Sequence, residues 1–385
     1  MESRDSRLQT RDSRLRGRNV LMLPCSPIKM ITRSHRLQHV FELFLLALLL
    51  FISDTAAAQE PSISATDRAR LAEAFRLGDA IGDRIWPGWS KAPFAVMLVT
   101  PDHEFLIRHP NPSPDFTKLG YDRSLRSDVH YRKRRFSTNF LATFPAVTGS
   151  PISTIVVGQA ENTTAKTSTP WVITLLHEHF HQLQDSQPNF YADVNALNLA
   201  RGDQTGMWML NYAFPYDGKD VQDQFAAMSQ LLDTAIQAPK TTRSQSVINY
   251  LEARRKFEDM LEPDDYKYLS FQFWKEGIAR YTEYRVARVA AANYRPSKEF
   301  RALSDYRSFA DVTKDIHDGI LRHLRMQKLG VSKREVVYAF GAAEGLLLDR
   351  IRPQWRNRYF VAKFDLGKLF RSERVNRHRQ SAIGN

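Results

Sequence analysis

Cysteine is almost missing: the chain has 385 residues and one cysteine, Cys25. That excludes a disulfide-stapled scaffold. Long apolar runs are missing too. Leu43–Ile52 is a nearly unbroken run of ten residues, too short for an ordinary spanning helix. There is no Gly-rich phosphate loop, no internal repeat and no low-complexity linker. Hydrophobic residues make up 43% and charged residues 25%, which excludes a wholly disordered or collagen-like chain.

The net charge of +13 does not describe the body of the chain. Residues 1–58 carry 9 Lys and Arg against 5 Asp and Glu, and residues 351–385 carry 9 against 2. The long middle segment, 59–350, has 37 basic and 35 acidic residues. A near-neutral body is not an electrostatic footprint for nucleic acid, so no nucleic-acid partner is expected. The basic tail, 371–385, reads as a solvated end that an anionic envelope surface would attract.

The N-terminus reads as an export signal. Arg33 and Arg36 precede the run Leu43–Ile52, and Ala56, Ala57 and Ala58 follow it. A basic region, a short apolar region and a small-residue cleavage site make residues 30–58 a secretory signal peptide. Residues 1–29 then form an extra leader or an over-extended start. Cleavage after Ala58 removes Cys25 and leaves no stable membrane insertion. The expected location is periplasmic or extracellular.

The remainder predicts an α+β fold, mostly helical. A helix is expected over Ala65–Arg84, strands at Phe94–Val99, Glu104–Arg108 and Ser153–Gly158, and loop over 109–137. Helices are expected at Trp171–Gln184, with Pro170 in the first turn after a Thr169 cap, and at about 220–237, 243–261, 265–292, 308–328 and 333–351. Residues 59–370 read as one domain, with a small N-terminal sheet (59–168) followed by a helical half (169–370) and the active site between them.

One motif carries chemistry. His177-Glu178-His179-Phe180-His181 satisfies H-E-x-x-H. Residues four apart on a helix lie about 40° apart around its axis. His177 and His181 therefore present two imidazoles to one point, as a tetrahedral zinc ion requires. Glu178 flanks that point and can take a proton from water as a general base. His179 points to the opposite side and reads as a packing residue.

Two histidines leave such a site one protein ligand short. Downstream stands Trp274-Lys275-Glu276-Gly277-Ile278-Ala279-Arg280-Tyr281. H-E-x-x-H followed by a W-x-E-G-x-A-x-Y helix resembles the gluzincin group of zinc metallopeptidases. The resemblance implies Glu276 as the third zinc ligand, a peptide or protein substrate, and edge pairing of substrate backbone on Thr154–Gly158, the strand before the motif helix. It rests on the two motifs and their order. Lys275 replaces the group's frequent asparagine, and 95 positions separate His181 from Glu276.

Glu283 and Glu344 are the alternative third ligands. Glu283 lies on the Glu276 face and can instead orient a ligating histidine, with Arg280 beside it. Gln184 and Asp185 are further candidates for holding a histidine. Tyr338, Tyr281, Tyr284 and His317 are candidate donors to the oxyanion formed during hydrolysis. The leading expectation is an exported zinc metallopeptidase with His177, His181 and Glu276 on Zn2+ and Glu178 as base. The alternatives are an exported binding protein with a structural metal, and a zinc hydrolase of a non-peptide amide. His103, Glu104 and His109 have loose metal spacing in a strand-and-turn context and are set aside.

Overall fold

Helix α1 (Ala65–Ile85) begins where the Ser64 hydroxyl accepts the Asp67 amide at 3.0 Å. Its buried face carries Leu71, Phe75, Ile81 and Ile85. The structure is a computed structural model that describes residues 60–371. The expectations for the export signal, and for the basic tail beyond Arg371, lie outside the described residues. The architecture is mixed α+β, with a six-stranded sheet in the N-terminal half and helices in the C-terminal half.

The strands are β1 (Val96–Val99), β2 (His103–Ile107), β3 (Thr117–Asp122), β4 (Ser127–Lys133), β5 (Leu141–Phe144) and β6 (Thr154–Gly158). Their order across the sheet is β3-β4-β2-β1-β6-β5. The β1–β6 pair is parallel, and every other pair is antiparallel. Alternate residues go to opposite faces. Val96, Leu98, Phe105, Ile107, Ile155 and Val157 join the main core with the helices. Met97, Val99, Leu106 and Val156 form a smaller core with Phe116 and Val147, against Phe136, Phe140 and Phe144. Both faces of β1 and β6 are covered, which is why these strands read as continuous apolar runs.

Two expectations fail here for identifiable reasons. Residues 109–137 are not all loop, because they contain β3 and β4. Their strand signal is hidden by charged residues that pair within the sheet. Buried Arg132 bonds buried Glu104 at 2.7 Å and Asp115 at 2.8 Å, and Lys118 meets Asp128 at 2.9 Å. Gly120, at φ 131°, accompanies a register shift that breaks the alternation. Thr154–Gly158 is not an edge strand, since β1 and β5 pair with its two sides. The edge on that side is β5, which lay within an unassigned stretch.

Helix α2 (Ser168–Asp185) carries the motif, and its cap falls two residues earlier than expected, at Thr167, with Pro170 inside the first turn. The Thr169 hydroxyl donates instead to the Arg307 carbonyl at 2.7 Å. The helices that follow are α3 (Lys219–Gln237), α4 (Arg243–Met260), α5 (Pro263–Gln272), α6 (Ile278–Asn293), α7 (Phe309–Met326) and α8 (Val336–Ile351). The helix expected over 265–292 is interrupted, because Phe273–Gly277 forms a π-turn between α5 and α6. Helix α6 packs against α2 and α8. The aromatic connection 201–218 packs inward, where Trp208 and Phe214 are buried and Tyr212 stacks on Tyr268 with ring centroids 4.3 Å apart. Among the described residues no helix is long and apolar enough to cross a membrane.

Candidate metal centre

The motif helix is clamped at its start. Near its start the Trp171 indole N–H donates to the Gly158 carbonyl at 2.9 Å, tying α2 to β6. The Ser168 hydroxyl and backbone amide both bond Asp305, which also receives Arg70. From this fixed base, one face of α2 turns His177 and His181 toward the π-turn and α6.

The Nε2 atoms of His177 and His181 face each other at 3.2 Å. Glu276 Oε2 lies 3.5 Å from His181 Nε2. The three ligand-type atoms all lie within 4.8 Å of one another. Ligands on a tetrahedral zinc ion sit about 2.0–2.2 Å from it, and so about 3.3 Å from each other. The 3.2 and 3.5 Å spacings at His181 are close to that value.

The hydrogen bonds behind the rings fix which nitrogens are available. His177 Nδ1 lies 2.7 Å from Glu283 Oε1, and an ionised carboxylate only accepts, so Nδ1–H donates. His181 Nδ1 lies 2.6 Å from Gln184 Oε1. The Gln184 amide nitrogen faces the carbonyl oxygens of Trp274 and Lys275, which only accept, so its oxygen must face the ring. His181 Nδ1 therefore donates as well. With Nδ1 committed on both rings, the two Nε2 atoms are the positions left to share a proton or to meet a metal ion. His177 also has a raised pKa. Burial works against its charged form, but the Glu283 bond and the charges of Glu178 and Glu276 outweigh burial. The donor set, two imidazoles and a carboxylate, suits zinc.

Burial alone would push the Glu276 carboxyl up. His181, Arg334 and Lys275 overcome that and hold it well below the usual carboxylate range. Its second oxygen lies 3.3 Å from a guanidinium nitrogen of Arg334. Glu283 is likewise held low: burial raises it, and Arg280 and His177 outweigh burial. Arg280 and Glu283 form a direct ion pair.

Glu178 faces the sheet. The Thr143 hydroxyl of β5 donates to its Oε2 at 2.7 Å. Tyr338 stands beside His177, with ring centroids 6.5 Å apart, and Arg334 donates to its hydroxyl at 3.2 Å. Burial, then Glu276, raise the Tyr338 pKa, so the phenol keeps its proton.

Other candidates are placed elsewhere. The Asp185 carboxylate is held by Ser153 at 2.6 Å and Lys275 at 3.5 Å, so it turns away from His181, and Gln184 takes the position at that ring. Glu344 is fully buried against Tyr250 and against Arg254, the latter at 2.8 Å. Tyr281 bonds Asp349 and Arg356. The Tyr284 ring lies 5.5 Å from that of His317. Glu104 is bonded by Arg132 and by the backbone amides of Arg135 and Phe136. His179 stacks on Phe94, with centroids 3.8 Å apart, and burial lowers its pKa to about 3.

Sequence reasoning did not find Thr143 or Arg334. Thr143 lies in an unassigned edge strand, and Arg334 is one of many arginines without a motif. Nothing in the spacing of either one marks it. In comparisons with protein-family models, curated proteins and solved structures, nothing matches the chain.

Proposed function

We propose that the protein is a zinc-dependent peptidase of the gluzincin type, with His177, His181 and Glu276 as metal ligands and Glu178 as general base. The observation that carries this reading is the pair of Nε2 atoms 3.2 Å apart, both of whose Nδ1 positions are already committed as donors. Among the described residues the cluster has three members, which leaves a tetrahedral ion one open position. That favours a catalytic site over a structural one. The apolar run and alanines of residues 30–58 support export, and so an extracytoplasmic peptide or protein substrate.

When bound, zinc supplies Lewis acidity to polarise the scissile carbonyl and makes water more acidic. Glu178 takes the proton from the attacking water and returns it to the leaving amine nitrogen. Thr143 fixes one Glu178 oxygen, which turns the other toward the water. Arg334 donates to the Tyr338 oxygen, which frees the phenolic proton to donate to the carbonyl oxygen as it gains charge. Strand β5 ends the sheet one strand beyond β6 and touches Glu178 through Thr143. An extended peptide pairing along Leu141–Phe144 therefore lies next to the base.

The test is metal content by elemental mass spectrometry for wild type and Glu276→Ala, followed by a peptide-library cleavage assay. About one zinc per wild-type chain, far less in the variant, and cleavage by the wild type alone are expected. A wild type that takes up no zinc when zinc is supplied rejects the reading.

A further inference from the structure

Gln184 is fully buried, three residues beyond His181 on α2. Its side chain has two ends, and both are in use. The oxygen accepts from His181 Nδ1 at 2.6 Å. The nitrogen donates to the Tyr359 hydroxyl at 2.7 Å and lies 3.2 Å from the Lys275 carbonyl and 3.4 Å from that of Trp274. Those carbonyls belong to the two residues just before Glu276, within the π-turn. Tyr359 closes the loop: its hydroxyl donates to the Trp274 carbonyl at 2.6 Å, and its ring lies flat on Trp274 at 4.6 Å.

We propose that Gln184 is a positioning residue that ties the second histidine ligand to the turn carrying the carboxylate ligand, so that one amide sets both the His181 tautomer and the placement of Glu276. The proposal rests on the zinc-site reading above. His177 is oriented differently, by the charged Glu283, which makes no such link to the π-turn.

The chemistry demands an amide here. A π-turn leaves backbone carbonyls displaced from the regular helical ladder, and buried carbonyls need donors. A carboxylate at position 184 would still accept from His181 and could accept from the Tyr359 hydroxyl, but would offer no donor to the Lys275 and Trp274 carbonyls. An apolar side chain of similar length would serve neither end. The same device recurs two residues earlier, where Gln182 accepts from His179 and donates to the Ala95 and Ser153 carbonyls at 2.9 and 2.7 Å. There it ties α2 to the sheet rather than to the ligand turn.

The experiment compares wild type, Gln184→Met and Gln184→Glu by zinc affinity in competition with a chromophoric chelator. Circular dichroism checks folding, and nitrogen-15 NMR of the metal-free chain reads the His181 tautomer. Gln184→Met should weaken zinc binding by about 10–100-fold and release His181 from its single tautomer. Gln184→Glu should keep the Nδ1–H tautomer and still lose about tenfold or more in affinity, because the turn is no longer held. If Gln184→Glu binds zinc as tightly as wild type, the link to the turn is refuted, and this variant carries the test should Gln184→Met fail to fold. Zinc binding unchanged in both variants overturns this proposal alone. A wild type without zinc overturns the peptidase reading and this proposal together.

Discussion

Gly277 and Gly341 meet backbone to backbone: a Cβ on Gly277 would stand 2.5 Å from the Gly341 Cα, and one on Gly341 would stand 2.6 Å from the Phe273 carbonyl oxygen. Gly277 has ordinary helical angles, φ −62° and ψ −40°, so what it supplies is space. Glu276 is its neighbour, and Arg334 and Tyr338 lie just before Gly341 in the chain. Gly341→Ala should force the π-turn off α8, at a cost of about 1–3 kcal/mol from overpacking. A lower melting temperature and weaker zinc binding are expected together. An unchanged melt with unchanged zinc affinity would show that the crossing has slack.

On the proposed reading Glu178 moves protons and does not hold metal. Glu178→Gln should lower kcat by about 100-fold or more and leave zinc content near that of the wild type. Full activity in this variant would remove Glu178 from the reaction. Loss of zinc would instead make it a ligand.

Thr143 bonds the Glu178 carboxylate from the edge strand. A hydrogen bond to a charged group contributes about 1.5–3 kcal/mol, so Thr143→Val should reduce kcat roughly tenfold or more with zinc affinity unchanged. Thr143→Ser keeps the hydroxyl and should restore most of the rate. Serine as poor as valine would mean that the methyl group, not the hydroxyl, matters.

His179 provides an acid limb to stability. It is buried against Phe94 and Trp89, and burial depresses its folded pKa to about 3 from an ordinary 6.5. A group depressed in the folded state contributes stability that is present above its unfolded pKa. That contribution is lost as pH falls from about 6.5 toward the folded value. Melting temperature should therefore decline as pH drops from 7 to 4, and the decline should be shallower in His179→Gln, which has nothing to titrate. Parallel curves for the two proteins would assign the acid sensitivity to other groups.

The legible parts of this molecule were those with local periodicity. The spacing of His177, Glu178 and His181 on one helix is a property of neighbouring residues, and so are the spans of α1, α3, α4 and α7. What could not be read depends on partners far away in the chain. Arg132 looks like a solvent residue until Glu104 is seen directly opposite it on the neighbouring strand. The break at Phe273–Gly277 comes where the turn packs against α8, more than 60 positions later. Glu283 and Gln184 were recognisable as candidate partners of the histidines, because each sits at helical spacing from a motif residue. Asp185, one position on from Gln184, faces a different neighbour, which shows how sharply 100° of rotation separates roles on a helix.

On the side of the motif helix the sheet ends in a strand of four residues, Leu141–Phe144, against six in β3 at the other edge. A border this short can recruit an incoming backbone, yet it gives another copy of the chain too little ladder to grow into a fibre. Lengthening that border by even a few β-branched residues would favour self-association, which sets a ceiling on how much edge the sheet can offer to the peptide proposed above.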